Sequence, residues 1–396
     1  MSVDFRFLSV SIVFLLLSVE LNIGAGVTLG RLAYILTFIL FIFLFSKKFS
    51  VSSNELTFFS MMMLFFIYAS LQSVFLNVNQ PDPIRIFNWM VYSLFCFLFS
   101  IGMSSLSLDS YTKVVSNLLY IAIFLVIVSI LFLIYRQGGM FYSKPAWVIR
   151  NELNLLPGGL SRYFFGANVL LLIVYFSSFE NKSRTLSLVF SILLILISGS
   201  RQFLIVWVLS LLILYLSSPT SIVRLMSFKK LTLLIFSILL GGYFVSNNFN
   251  SDYFDSLEKR YTQTVNIMES QGPSSEDSTS ERMHFISLAV ASLDAKPFGV
   301  GAGGVESVIG RPAHNSYAHL MIEFGYIGIF LYILIGVFSV FTSKVRKGPH
   351  IALFVIFFIT PVFNDVIYMP LFWGCVVFCM YSPIKSLNDE KSYHIS

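Results

Sequence analysis

Charge is scarce in this chain. Asp, Glu, Lys and Arg make up 12% of its 396 residues, against about 25% in a soluble domain. With 56% hydrophobic residues and a mean hydropathy of +0.81, that deficit excludes a soluble globular protein. Cysteine is equally sparse. Cys96, Cys375 and Cys379 all fall in apolar stretches, without metal spacing or a disulfide framework, and read as packing residues. Asp-x-Asp, His-x-x-x-His and Cys-x-x-Cys pairs are all missing, so no metal and no cofactor is implied. The net charge of +6 is spread along the chain, and no nucleic-acid partner is expected. No clear small-residue cleavage site follows the apolar stretch at 7–21, Glu20 interrupts its end, and a further span follows at once. That stretch therefore reads as a retained span. There is no internal repeat.

What the chain does have is apolar windows of spanning length. They fall near 5–22, 32–46, 56–76, 86–103, 114–135, 163–179, 185–199, 201–217, 231–246, 314–342, 350–364 and 370–382. The expectation is an all-α, polytopic membrane protein of about twelve spans, with both termini on one side. The transmembrane part comprises 1–246, with a smaller outward loop at 136–162. A large outward loop occupies 247–313, and 314–396 carries the last spans and a tail. Basic residues orient the chain. Lys47, Lys48, Lys229, Lys230, Lys344 and Lys347 cluster at span ends on one side and read as cytoplasmic. The other side holds Arg31, Arg85, Arg136, Arg150, Arg162, Arg201, Arg260, Arg282 and Arg311. Arginine is a permanently charged planar fork that grips phosphate or carboxylate, so the outward face reads as built for a phosphorylated ligand. Pairing with acids or lipid headgroups is the blander reading of each arginine.

Arg201 stands out among them. It follows Ser198-Gly199-Ser200 inside an apolar run from 186 to 216, too short for two full spans. Two short helices meeting at that turn would hold the guanidinium below the membrane surface. An ionisable group there marks a functional site by default.

The large outward loop has its own helices. An amphipathic helix is predicted over 252–268. A second follows from 281 to about 295, with Ser278 as N-cap and Glu281 closing a capping box, and it stops before Pro297. Then come Gly299, Gly301, Gly303 and Gly304, which allow a tight turn and close approach of a ligand to the backbone. Arg311-Pro312-Ala313-His314-Asn315-Ser316-Tyr317 leads into the next span, which continues through Glu323-Phe324-Gly325-Tyr326-Ile327-Gly328.

The order of these features carries a family likeness. A Ser-Gly-Ser-Arg turn between spans is followed by a long outward loop with Arg282 on its second helix. Next come the Pro297-x-Gly299-x-Gly301 turn and His314-Asn315-Ser316-Tyr317 at the head of a span. Together they resemble the O-antigen polymerase and ligase superfamily of bacterial envelopes, by motif over about residues 160–345 and by topology over the whole chain. Arg162 to Asn168 is only loosely similar to that family's Arg–Gly–Asn segment.

The resemblance implies a GT-C-like membrane glycosyltransferase in the bacterial inner membrane. Its site would face the periplasm, and its substrate would be an oligosaccharide on undecaprenyl diphosphate. A chain-length regulator is implied as a possible partner alongside membrane lipids. Transfer from a diphosphate needs leaving-group charge neutralised and an acceptor hydroxyl deprotonated. His314 is the candidate base, although it could also be a structural residue or N-cap. Arg201, Arg282 and Arg311 are the candidate diphosphate ligands, in a metal-independent mechanism. Asn315, Glu323, Gly299 and Gly301 are supporting residues. Glu323 lies deep enough to pair with a buried arginine or another polar group. The leading function is a polymerase joining lipid-linked repeat units. The alternatives are a ligase that attaches the glycan to lipid A-core and, from another class, a transporter or flippase for an anionic substrate.

Overall fold

The computed structural model describes residues 52–75, 83–104, 278–310, 315–342, 354–363, 366–368 and 370–380. It also describes 22–24, 27–28, 34–39 and the single positions 12, 120, 124, 128, 131, 135, 208 and 209. The predicted spans at 163–179, 185–199 and 231–246, the helix at 252–268, and Glu20 and Asn168 lie outside those residues.

The chain divides into two compact units. Among described residues, the unit formed by 18–29 and 119–284 holds a short antiparallel hairpin. Strand β1 (Asn22–Gly24) pairs with β2 (Val27–Thr28), with Asn22 opposite Thr28 and Gly24 opposite Val27. The β-branched residues Ile23, Val27 and Thr28 favour this hairpin locally within an otherwise helical structure. Tyr120, Phe124, Val128, Leu131 and Tyr135 are helical and exposed.

The other unit (1–17, 30–118 and 285–396) contains three helices long and apolar enough to cross a membrane. They are α1 (Ser53–Phe75), α2 (Pro83–Ser104) and α5 (Ser316–Thr342). Between α2 and α5 in sequence come α3 (Ser278–Ala295) and the short α4 (Val305–Ile309). Helix α3 begins three residues before the start predicted at 281 and ends at Ala295 as expected. After α5, a π-helical turn (Val355–Ile359) runs into α6 (Thr360–Phe363), and α7 (Pro370–Met380) ends the described chain.

Each span begins where its sequence supplies a start signal. The Ser52 amide donates to Glu55 Oε2 at 2.7 Å, and the Glu55 amide donates to Ser52 Oγ at 3.3 Å, a reciprocal capping box at the head of α1. Pro83 opens α2, where a missing N–H costs nothing. Asn315 caps α5: its Oδ1 accepts the amides of Tyr317 (2.8 Å) and Ala318 (3.1 Å).

Aromatic rings hold α1, α2, α5 and α7 together. Phe65 stacks on Trp89 at 4.1 Å and meets Phe324 edge-on at 5.1 Å, while Trp89 contacts Trp373 at 5.7 Å. Hydroxyls inside the helices are satisfied locally, as in Ser93 Oγ to the Trp89 carbonyl and Ser339 Oγ to the Ile335 carbonyl, both at 2.7 Å.

The π-helical turn has a covalent cause. Pro361 has no N–H to offer the carbonyl of Phe357, four residues earlier. Tyr317 and Tyr332 of α5 supply the missing donors, each hydroxyl donating to that carbonyl at 3.2 Å. Gly336 lets the two segments approach. A Cβ there would lie 3.0 Å from Phe358 Cζ and 3.2 Å from Phe357 Cγ.

Candidate functional site

Helix α5 is not continuous. Gly325 breaks it with φ 64° and ψ −157°, a region reserved in practice for glycine. Unwinding a membrane helix releases backbone groups that have no water to turn to, and here three carbonyls and one amide around the break find partners outside the helix. The Ile322 carbonyl accepts the Val300 amide at 2.8 Å. The Glu323 carbonyl accepts the Gly301 amide at 2.8 Å and Gln72 Nε2 at 2.7 Å. The Phe324 carbonyl accepts the Tyr68 hydroxyl at 2.8 Å, and the Tyr326 amide donates to the Pro297 carbonyl at 2.9 Å. Gln72 Nε2 and Tyr68 also hold the Phe298 carbonyl. The break therefore docks residues 297–301 as an extra backbone layer against α5.

Glycines make that docking possible. Gly299 (φ 83°) and Gly301 (φ 92°) take left-handed conformations. A Cβ on Gly299 would fall 2.4 Å from the Glu323 carbonyl oxygen, and one on Gly325 would fall 2.1 Å from the Pro297 oxygen. The backbone that approaches Gly299 and Gly325 is the protein's own. Just below, Ala289 of α3, Val300, Val305, Ala318 and Ile322 form an apolar cluster that seals the loop against α5.

An ionic centre lies beside the break. The Glu323 side chain is fully buried and makes the pairing expected of it, with Arg85 Nη1 donating to Oε1 at 2.8 Å. The same Oε1 accepts the Gly303 amide at 3.0 Å, the Tyr368 hydroxyl donates to Oε2, and His319 Nδ1 stands 3.7 Å away. The second arm of Arg85, Nη2, reaches Glu306 of α4 at 3.1 Å. Its guanidinium also lies 5.4 Å from the centroid of the Tyr368 ring. The Glu323 oxygens are thus already committed to donors, which suits a structural anchor better than a catalytic base. Arg85 faces two carboxylates and is not available as an anion receptor.

Asn315 does more than cap α5. Its Nδ2 donates to the Val362 carbonyl at 2.8 Å, tying the head of α5 to α6, and Ser316 Oγ accepts the Val366 amide at 2.8 Å. The N-cap role open to His314 therefore belongs to its neighbour. Arg201, Arg311 and His314 lie outside the described residues. Arg282 lies on α3, and its side chain is likewise outside them. Of the expected site residues, Glu323, Gly299 and Gly301 come together, and Asn315 stands at the head of the same helix.

Arg85, Gln72, Tyr68, Glu306 and Tyr368 are the residues that sequence reasoning did not assign to this centre. The available signal was polarity: Gln72 falls inside one apolar window and Arg85 at the edge of another. Among described residues, no group of three or more His, Cys, Asp or Glu side chains could hold a metal ion.

Apolar spans, a glycine break stitched by a polar loop, and an ion pair buried beside it define a polytopic helical membrane protein with an internal ionic centre. Residues 186–333 match the Wzy_C family model, described as O-antigen ligase, and the chain carries a domain of that O-antigen ligase/polymerase family. The family transfers O-antigen glycan and acts on lipid-linked glycan substrates. No curated protein matches the chain. The matched segment holds α3, the glycine loop, α4 and the broken part of α5, whereas Arg85 and Tyr368 come from outside it.

Proposed function

We propose that the protein is an O-antigen polymerase. It would transfer the growing glycan from undecaprenyl diphosphate to a new lipid-linked repeat unit at the periplasmic face of the inner membrane. The observation that carries this reading is the family match over the segment containing every candidate residue. The Glu323-x-Gly325-x-x-Gly328 ending of the His motif leans it toward polymerisation. In this reading His314 deprotonates the acceptor hydroxyl. Arg201, Arg282 and Arg311 neutralise the diphosphate as it leaves. The glycine loop and the cap at Asn315 flank, in sequence, the segment that carries Arg311 and His314. The reaction needs no metal, and exhaustive chelation should leave activity intact; loss restored by magnesium would refute that point.

The family description favours a second reading, a ligase that attaches the finished glycan to lipid A-core. A host lacking the gene separates the two. Single repeat units on core mark a polymerase, whereas long lipid-linked glycan left unattached to core marks a ligase. Purified protein that lengthens lipid-linked glycan in detergent would in addition exclude pure transport.

A further inference from the structure

We infer that Arg85 is a positioning residue, a two-armed latch that fixes the segment leading into the His314 motif. The inference rests on the transferase reading above for its kinetic consequence and on geometry alone for the latch. Arg85 comes from α2, far in sequence from the loop it holds. One arm enters the protein and pairs with fully buried Glu323 of α5 at 2.8 Å. The other reaches outward at 3.1 Å to Glu306, whose side chain is 49% exposed. Three residues before Glu306 stands Gly303, whose amide donates to the same Glu323 oxygen at 3.0 Å.

The loop is therefore held at three levels. Its start is sewn to the break in α5 by the amides of Val300 and Gly301. Its middle is held by Gly303 on Glu323, and its end by Glu306 on Arg85. Four residues beyond Gly310 stands His314, and Asn315 is anchored to Val362. Arg85 thus fixes the end of the loop that precedes the His314 motif in sequence.

A guanidinium can serve two carboxylates through separate nitrogens, whereas an ammonium offers a single nitrogen. Arg85 is already neutralised by acids, so its contribution to transfer is geometric. Removing it should lower the rate of the chemical step and leave substrate binding almost unchanged.

The test uses full-length protein in detergent, with two readouts. One is labelling of Val305→Cys, a buried position on the latched segment, with a thiol reagent. The native cysteines are buried, and Cys96 on α2 reports global unfolding. The other is kcat and KM for a lipid-linked repeat unit. In Arg85→Gln, labelling at 305 should rise about tenfold while Cys96 stays protected. kcat should fall roughly tenfold or more, with KM within about twofold.

Unchanged labelling with Cys96 protected overturns the latch. A raised KM at constant kcat also overturns it, because Arg85 would then be binding substrate. If Arg85→Gln exposes Cys96, Arg85→Lys decides. It keeps a charge for Glu323 and gives up the second arm, so intermediate labelling and kcat are expected, and wild-type values of both overturn the proposal. If the wild type transfers no glycan, the functional reading fails, while the labelling comparison still judges the latch.

Discussion

Gly325→Ala is the sharpest test of the site's construction. The perturbation adds one methyl group. At φ 64° and ψ −157° it would lie 2.1 Å from the Pro297 oxygen, 2.6 Å from the Gly299 nitrogen and 2.6 Å from the Phe298 carbonyl carbon. All three are backbone atoms, so no side chain can rotate away. Holding alanine in that region of φ/ψ costs about 1–3 kcal/mol, and overpacking adds roughly 1–3 kcal/mol. The protein can escape only by unseating the loop. That gives up the amide bonds of Val300, Gly301, Gly303 and Tyr326, at about 1 kcal/mol net for each. The first route costs about 2–6 kcal/mol and the second about 4 kcal/mol.

Two other glycines calibrate the result. Gly310 has φ 81° but open space around its Cβ position, so Gly310→Ala should cost only about 1 kcal/mol. Gly102 lies in α2 with open space and no positive φ, and Gly102→Ala should be neutral or stabilise by up to about 1 kcal/mol. Thermal unfolding of the three variants in one detergent, alongside glycan transfer, gives the order directly. Gly325→Ala indistinguishable from Gly310→Ala would refute the docking argument.

Further outcomes follow from the same contacts. Asn315→Ala removes two capping bonds and the link to Val362. It should destabilise by about 1–2 kcal/mol in thermal unfolding, more than Asn315→Asp, which keeps the cap. Tyr317→Phe and Tyr332→Phe each leave the Phe357 carbonyl one donor, and the double variant leaves it neither hydroxyl. The double should cost about 1–3 kcal/mol and exceed the sum of the singles, as a double-mutant cycle will show. Arg201→Lys keeps the charge and loses the planar fork. If Arg201 holds a diphosphate, that variant should fail to support polymer formation in cells, and full activity would make Arg201 structural.

Hydrophobicity made three spans legible to within a few residues. The windows 56–76, 86–103 and 314–342 correspond to Ser53–Phe75, Pro83–Ser104 and Ser316–Thr342. The first two begin three residues before their windows for one reason. Ser53, Asn54, Glu55, Pro83 and Arg85 are polar or lack an amide proton, and such residues start helices while lowering a hydropathy average. The same average concealed the break at Gly325, because Phe324, Tyr326 and Ile327 keep the window apolar whether or not the backbone is helical. What unwinds α5 is not local. It needs Tyr68 and Gln72 from α1, and amides from a loop that precedes α5 by only about fifteen residues. The glycine-rich stretch was readable as a close-approach element, but spacing alone does not say what approaches. Glu323 was readable as a residue in need of a partner. That the partner is Arg85, separated by 238 residues, is set by how α2 packs against α5. The rings of Phe65, Trp89 and Phe324 dictate that packing, and periodicity does not.

The buried pair raises a question of purpose that the double variant Arg85→Met, Glu323→Leu answers. Two charges taken out of water recover in mutual attraction little more than they lose in hydration, and apolar replacements of buried pairs are often neutral or stabilising by about 1–4 kcal/mol. Stability alone therefore does not account for Arg85 and Glu323. Glu323 has one feature an apolar residue cannot copy: its Oε1 receives the Gly303 amide and the Arg85 guanidinium together, and so selects one path of the loop. The double variant removes the selection without stranding a lone charge, and it leaves the docked bonds at Val300 and Gly301 in place. It should melt no lower than wild type, or higher, while glycan transfer falls roughly tenfold, and Arg85→Met alone should be the least stable of the set because it leaves Glu323 charged and unpaired. A double variant that is both stable and fully active would show that the ion pair fills space and that the glycine docking alone sets the path of the loop.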